Sequence, residues 1–253
     1  MMKVGFVNPA LPDGHPLYSW SLTTQSWIPE DSTGVGIQVA LRSNLAYHIK
    51  KDQRVAYKFY SNVSWTSSVS KSMDLKVGAN DDIFGTLDFD IGSNYLIVKW
   101  SDFLQGGVPN NELGVRVGVT STGKLWYIKA DGSIFKQVGG TWTGIPGKAR
   151  DIIIGNDDVP YIVSETPTDG GYTIEKWNDT NNAWEVLPGI GGVSLALDSA
   201  NNPYVVTDQN KVFRKRGLIS NFCPGKLIVF IASNFICFSL YFRLFRLHRF
   251  LGL

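Results

Sequence analysis

The side chains that most often carry catalytic or metal chemistry are few and scattered in this sequence. The three histidines, His15, His48 and His248, stand apart from any Cys, Asp or Glu at metal-ligand spacing. Both cysteines lie near the carboxyl terminus, outside every repeated motif, and no G-x-S-x-G motif offers a serine nucleophile. The stretch GIPGKA at 144–149 lacks the first glycine of a phosphate-binding loop. We therefore predict no enzyme activity, no metal and no cofactor.

Two acidic turns, NDD at 80–82 and NDD at 156–158, place several oxygen ligands together, as calcium prefers. Asn and Asp also favour turns for a structural reason, because they accept the left-handed backbone conformation and bond to their own backbone. The turn interpretation is preferred over a calcium site. Asp158, and Asn201 in a similar turn, are still predicted as candidates for contacting a ligand.

Aromatic residues recur at equivalent places. Trp126, Tyr161 and Tyr204 each follow a polar turn and begin an alternating segment. Flat rings stack on the faces of sugars, and the same rings also fill the space between packed sheets. We predict these three as ligand-binding residues, with core packing as the alternative. A second recurring set is expected mainly to pack the structure, and it comprises Trp27, Trp65, Trp142, Trp184, Gly78 and Gly155.

An internal repeat organises these residues. A shift of 77 residues aligns 65–100 with 142–177 without a gap and gives ten identities over 36 positions. Trp27 precedes Trp65 by 38 residues, so the repeating unit is about 38 residues long. Copies begin near residues 27, 65, 105, 142 and 184, and a partial copy covers 3–26. Each copy consists of short alternating segments joined by tight turns, which is typical of β-hairpins. Units this short must stack on their neighbours, so the repeat predicts an all-β propeller.

The clearest copy has the pattern W-x-x-I-P-G-K-A-R-D-I-I-I-G at 142–155, followed by PYIV and by YTIEKW at 172–177. This pattern resembles a tectonin repeat, and the resemblance covers about residues 3–216. The tectonin family, which includes slime-mould tectonins, fish-egg lectins and a horseshoe-crab lectin, forms propellers, commonly six-bladed, that bind carbohydrate or lipopolysaccharide. The resemblance therefore implies six blades and a lectin-like activity.

The termini are expected to close the ring together. KVGFV at 3–7 resembles a third strand and PLYSW at 16–20 a fourth, so the chain begins inside a blade. The first two strands of this blade would come from the carboxyl-terminal side, with 222–234 as the candidate segment. We thus predict six blades with the first one split between the termini, and a propeller domain over residues 1–216.

Residues 217–253 differ in amino-acid composition from the repeats. They contain four of the 24 basic residues, none of the 22 acidic residues and both cysteines. The uncharged run 227–242 is shorter than the roughly 20 apolar residues of a membrane-spanning helix. Three interpretations stay open: part of the closing blade, sequence foreign to the natural protein or, less favoured, a membrane anchor.

These observations limit the class of partner. Without the tail the chain is close to charge balance and shows no basic patch, so nucleic acid is not expected as a partner. The first residues lack the apolar stretch of a signal peptide, so the expected location is cytoplasmic, peripheral or at the cell surface. We predict a lectin-like protein whose several weak, equivalent sites bind glycans or bacterial surface polymers. The alternative is an intracellular scaffold that binds a protein partner.

Overall fold

The structure, a computed structural model, describes residues 4–7, 15–21, 23–24, 26–29, 35–36, 38–41, 45–50, 52–59, 65–78, 82–91, 94–100, 107–189, 191–198, 200–209, 211–214, 217–218 and 226–228. Every helix or strand assigned in these ranges is a β-strand, so the prediction of an all-β protein is confirmed. The same ranges contain no helix long and apolar enough to cross a membrane. Most of the uncharged run 227–242 lies outside the described residues.

The strands are short and follow one another closely. The first seven are β1 (Val4–Val7), β2 (His15–Ser21), β3 (Ser26–Pro29), β4 (Val35–Gly36), β5 (Gln38–Leu41), β6 (Leu45–Ile49) and β7 (Arg54–Phe59). The next eight are β8 (Thr66–Val77), β9 (Ile83–Ile91), β10 (Asn94–Trp100), β11 (Gly107–Gly114), β12 (Arg116–Val119), β13 (Leu125–Ile128), β14 (Ser133–Val138) and β15 (Thr141–Ile154). The last eight are β16 (Pro160–Thr168), β17 (Gly171–Asn178), β18 (Ala183–Val186), β19 (Ser194–Leu197), β20 (Pro203–Val206), β21 (Val212–Arg214), β22 (Gly217–Leu218) and β23 (Lys226–Ile228).

Antiparallel pairing groups most of these strands into four-stranded units, which we name in chain order. They are unit A (β5–β8), unit B (β8–β11), unit C (β12–β15), unit D (β15–β18) and unit E (β19–β22). The long strands β8 and β15 each serve two units, because one end is the fourth strand of one unit and the other end is the first strand of the next. One sequence repeat therefore spans two units, and an isolated copy would leave its first and last strands without one of their partners.

The first strands of units B to E lie beside one another, since β12 contacts β8 and β15, and β15 contacts β19. They form the centre of this part of the molecule. Apolar side chains on both faces of the units fill the seams, by which we mean the contact surfaces between successive units. A fully buried Leu or Ile contributes about 1.5–3 kcal/mol. The near-continuous apolar sequence of strands such as Ile152–Ile154 follows from this burial on two sides.

The turn between the first and second strands has the same geometry in units C, D and E. In each turn a backbone N–H donates to the carbonyl four residues later, from Thr120 to Lys124, from Gly155 to Val159 and from Asp198 to Asn202. The fourth turn residue has a positive φ, of 77° at Gly123, 60° at Asp158 and 59° at Asn201. Gly, Asp and Asn are the residues that accept this conformation at little cost. The equivalence of these three turns is confirmed.

The terminal sheet differs from the prediction in its strand order, which is β23-β1-β2-β3, with β4 also paired to β2. Among the described residues the carboxyl-terminal side supplies one strand, so β1 is second and β2 third rather than third and fourth. The prediction overlooked that the recurring Trp lies on a fourth strand. Trp20 faces Trp27 across β2 and β3 as Trp177 faces Trp184 across β17 and β18. The fourth strand of unit E, β22, also lies beyond residue 216.

Candidate functional site

The second strand of each of units B to E carries an aromatic residue at one register position, and a basic residue lies opposite on the third strand. The pairs are Phe84 with Lys99, Trp126 with Lys136, Tyr161 with Lys176 and Tyr204 with Arg214. Directly opposed side chains on one face of an antiparallel pair are close enough to interact. The sequence equivalence of Trp126, Tyr161 and Tyr204 is thus matched by their register.

Three of these pairs form the same triplet of an aromatic ring, a lysine and an acid. The lysine Nζ atoms of Lys99, Lys136 and Lys176 lie 5.9, 5.5 and 5.5 Å from the ring centroids of Phe84, Trp126 and Tyr161. Each Nζ also approaches a carboxylate, at 2.7 Å from Asp82, 3.8 Å from Asp179 and 4.0 Å from Asp157. The ring quadrupole and the carboxylate both attract the ammonium group. In each triplet the ring and the carboxylate therefore hold the ammonium group of the lysine at the edge of a seam.

The predicted ligand-binding aromatics are largely covered by protein. Trp126 is 6% exposed and Tyr161 is 4% exposed, and both belong to apolar clusters that fill seams. Burial raises the pKa of the Tyr161 phenol, which Lys176 opposes. Tyr204 is only half-buried. These positions favour the packing role for Trp126 and Tyr161, and a ligand role for the three residues stays a prediction.

The seam between units C and D holds a cluster of three tryptophans, Trp126, Trp177 and Trp184, which we call the indole cluster. Their centroids lie 6.0 Å apart for Trp126 and Trp177, 6.3 Å for Trp126 and Trp184, and 5.0 Å for Trp177 and Trp184. All three pairs are tilted by 65–67°, the edge-to-face arrangement that aromatic quadrupoles prefer. Lys136 Nζ lies 5.5 Å from the Trp126 centroid and 5.4 Å from the Trp177 centroid.

Hydrogen bonds fix the orientation of two of these rings. Trp177 Nε1 donates to Asp179 Oδ1 at 2.6 Å, and Trp184 Nε1 donates to the carbonyl of Pro146 at 2.8 Å. Gly147 has a φ of 93° and lies so close to Trp184 that a Cβ atom there would be 3.2 Å from its Cδ1. A glycine is needed at this place for both reasons.

The indole cluster reaches the protein surface through polar residues. The Asp179 side chain is 80% exposed and the Lys136 side chain 22% exposed. Trp184 is half-buried, and the next residue on β18, the exposed Glu185, points to the opposite face of the sheet, where it accepts a hydrogen bond from Asn178 Nδ2 at 2.6 Å. The indole surface is therefore bordered by the Asp179 carboxylate. Such a surface can stack on one face of a ligand while the carboxylate accepts hydrogen bonds from its hydroxyl or amino groups.

Asp158 and Asn201, the predicted ligand contacts, join neighbouring turns instead. Asp158 accepts hydrogen bonds from the backbone N–H of Ser121 and from its hydroxyl, the latter at 2.6 Å. Asn201 Oδ1 accepts one from the backbone N–H of Asn156 at 2.8 Å. Both side chains reach from the left-handed turn residue of one unit to the second turn residue of the preceding unit. We call these two contacts the turn latches.

The recurring Trp and Gly residues make packing contacts where they are described. Trp65 is buried beside His48, with centroids 4.4 Å apart, and Trp142 packs edge-on against Tyr127 at 4.8 Å. A Cβ atom on Gly155 would lie 2.5 Å from Asp157 Oδ1, and one on Gly78 would lie 3.0 Å from Val119 Cγ1. The side chain of Trp27 lies outside the described residues.

Buried charges meet at the centre of the molecule, which the sequence analysis did not foresee. Lys76 Nζ lies 3.4 Å from Asp74 Oδ1 on its own strand and 4.0 Å from Asp151 Oδ1 on β15. Asp74 Oδ2 also accepts a hydrogen bond from the backbone N–H of Val117 at 3.0 Å. Burial raises the pKa of Asp151, while Lys76 and Arg116 act to lower it.

The signal for this central cluster was present, because Asp74 and Asp151 were aligned by the 77-residue shift and each is followed by apolar residues. The residues that the structure describes contain no group of three or more His, Cys, Asp or Glu side chains that could hold a metal ion. The histidine at 248 and both cysteines lie outside the described residues.

Similarity to solved structures identifies the class of fold. No protein-family model and no curated protein sequence matches the chain. Among solved structures, the chain is similar to YCF48 bound to D1 peptide, with 12% identity, a TM-score of 0.56 and 87% of each chain covered. It is also similar to a 6-phosphogluconolactonase, described as putative, from Bacteroides uniformis ATCC 8492, with 8% identity, a TM-score of 0.55, and 83% of this chain and 77% of that chain covered. Both are β-propellers, so the chain has a β-propeller-like fold.

Proposed function

We propose that this chain is a tectonin-like recognition propeller without enzymatic activity, and that it binds carbohydrate at the indole cluster. The observation that carries the proposal is the half-buried Trp184, held by the Pro146 carbonyl against Trp177, whose Nε1 donates to the exposed carboxylate of Asp179. Sugar rings present an apolar face and a rim of hydroxyl groups. An oriented indole in a cluster bordered by a carboxylate complements both features.

The proposal includes six blades, of which one is shared between the termini. Units A to E would be five blades, and the terminal sheet would be the sixth. Its support is the pairing of β1 with β23, in which Gly5 lies opposite Ile228 and Val7 opposite Lys226. A closed ring of blades leaves only short outer edges, which protects a propeller from association through its edges.

Several weaker sites would accompany the indole cluster. The triplets at Phe84 and Tyr161 repeat the ring and the lysine at equivalent register positions, each with a carboxylate near the lysine, although they lack the two additional indoles. Weak sites on one propeller bind a repetitive surface more tightly than each alone, because the later contacts become intramolecular. Glycans on a cell or bacterial surface present such a repetitive array.

A protein partner is the second candidate. It is favoured by the similarity to YCF48, which has been solved with a bound peptide. The half-buried Trp184 and the exposed Asp179 carboxylate can equally receive an aromatic or basic side chain of a peptide. This alternative predicts binding to a peptide library and none to glycans.

A glycan array probed with the full chain tests the proposal. We expect binding to at least one glycan class, and the Trp184→Ala variant should bind the same glycan about tenfold more weakly because the stacking surface is lost. Trp142→Ala is the matched control, since Trp142 has the same place in the repeat but packs against Tyr127. Equal losses in both variants, or no glycan bound by the unchanged chain, would contradict the proposal.

A further inference from the structure

Lys136 occupies a different environment from the equivalent lysines. Among the described residues, Lys99 and Lys176 each face one ring, whereas Lys136 Nζ lies 5.5 and 5.4 Å from two indole centroids and 3.8 Å from a carboxylate. Trp is the aromatic side chain that attracts a cation most strongly. The indole cluster with Asp179 thus has the composition of an aromatic cage for an ammonium group, and Lys136 fills it.

The cage is built before any ligand arrives. Trp177 is anchored by Asp179 at 2.6 Å and Trp184 by the Pro146 carbonyl at 2.8 Å, so neither ring must be ordered on binding. Rings that are already oriented increase affinity because little conformational freedom is lost. The hydrogen bond from Trp177 also holds the Asp179 carboxylate at the border of the cage.

The position of the ammonium group is accessible. The Lys136 side chain is 22% exposed and Asp179 is 80% exposed, so the cation lies near the surface and not deep in the seam. Lysine has a long stem with several rotatable bonds, and its head can move into water. A ligand ammonium can therefore take the place of Lys136 Nζ without a change in the backbone.

We propose that the indole cluster and Asp179 bind the free ammonium group of an amino sugar, and that Lys136 competes for the same place. This inference rests on the proposed function, because it names the class of sugar that the indole cluster takes. The Trp184 ring provides the remaining contact, with the ring face of the sugar. A competing side chain lowers the apparent affinity by the fraction of molecules in which it occupies the site.

Titrations followed by tryptophan fluorescence test this inference, with tetramethylammonium, protonated glucosamine, N-acetylglucosamine and glucose as probes. We expect tetramethylammonium and glucosamine to bind, and the two neutral sugars to bind at least about threefold more weakly. Lys136→Met keeps much of the apolar stem and removes the competing charge. It should bind both cations about three- to tenfold more tightly than the unchanged chain.

Two further variants separate the cage from general effects. Asp179→Asn, at an exposed position, should weaken the binding of both cations severalfold. Lys129→Met is the matched control, because it removes a lysine that lies over one ring, Phe135, outside the three triplets, and it should leave binding unchanged. Thermal unfolding checks that each variant is folded.

Several outcomes of these titrations would overturn the inference. If neither cation binds to the unchanged chain or to folded Lys136→Met, or if neutral sugars bind as well as glucosamine, the cage is not an ammonium site. If tetramethylammonium binds but glucosamine does not, the assignment to amino sugars is wrong. Glycan binding that depends on Trp184 but not on the ligand charge would overturn this inference and leave the proposed function standing. If Lys136→Met does not fold, the Asp179→Asn variant tests the inference. Unchanged cation affinity in Asp179→Asn would contradict the cage.

Discussion

The seam between units C and D and the seam between units D and E have the same backbone plan but different side chains. At the first seam Trp126 meets two further indoles, and the latch residue Asp158 accepts two hydrogen bonds. At the second seam Tyr161 meets one lysine and aliphatic residues, and Asn201 accepts one bond. Units C, D and E thus keep equal turns and registers, while the three indoles are gathered at only one of these two seams.

The largest expected difference between the seams concerns Trp177. This residue is 2% exposed and contacts Trp126, Trp184 and Lys136, so its removal takes away most of the packing of the C–D seam. Trp177→Ala should lower the free energy of unfolding by about 3–5 kcal/mol. Chemical denaturation measures the change.

Trp184→Ala is the control for that experiment, because Trp184 is half-buried and less of its surface is lost from the core. It should be clearly less destabilising than Trp177→Ala. If the two variants lost the same stability, the indole cluster would not be divided into a buried core and an exposed border, and the accessibility of Trp184 would be in doubt.

The sequence was sufficient for the features that repeat and insufficient for those that join different copies. Alternation and turn residues predicted the strands, and the alignment of Trp126, Tyr161 and Tyr204 matches their register. The indole cluster was missed because Trp126 and Trp177 come from different copies, and only the stacking of units brings them together. The turn latches were not predicted for the same reason. A turn-forming Asp has the same sequence pattern whether its carboxylate faces solvent or the next turn.

The turn latches offer a second, smaller comparison of the seams. Asp158→Gly and Asn201→Gly each remove a latch, and glycine accepts the left-handed conformation as Gly123 does in unit C. Asp158→Gly should cost more, because a carboxylate that accepts two hydrogen bonds is lost, against one bond for Asn201→Gly. A hydrogen bond contributes about 0.5–1.5 kcal/mol, or about 1.5–3 kcal/mol when one partner is charged.

Hydrogen exchange of the Ser121 and Asn156 amides provides a local measurement, because each amide donates to one latch. Each variant should speed exchange at its own turn only. Exchange that accelerated equally at both turns would show that the latches report global unfolding and do not act seam by seam.

The smallest expected effect is at the centre, where Asp151 in unit D and Ser194 in unit E occupy equivalent positions on their first strands. Burial raises the pKa of Asp151, so its charged form is less favourable in the folded protein than in the unfolded chain. Stability from this group is complete below its unfolded pKa of about 3.9 and is lost as the pH rises through the higher folded pKa. Asp151→Asn removes this pH-dependent loss of stability, and Lys76 keeps its ion pair with Asp74, at 3.4 Å.

At neutral pH, Asp151→Asn should therefore be as stable as the unchanged chain or about 1 kcal/mol more stable, and the difference should shrink as the pH is lowered. Urea denaturation of both proteins at several pH values measures it. Asp74→Asn is the matched control, because it removes the nearer of the two carboxylates, Asp74 and Asp151, that approach Lys76 Nζ. It should destabilise the protein. If Asp151→Asn instead lost stability at neutral pH and the loss shrank as the pH was lowered, attraction to Lys76 and Arg116 would outweigh the cost of burial. The charged centre would then hold units B and D together, which the neutral Ser194 cannot do for unit E.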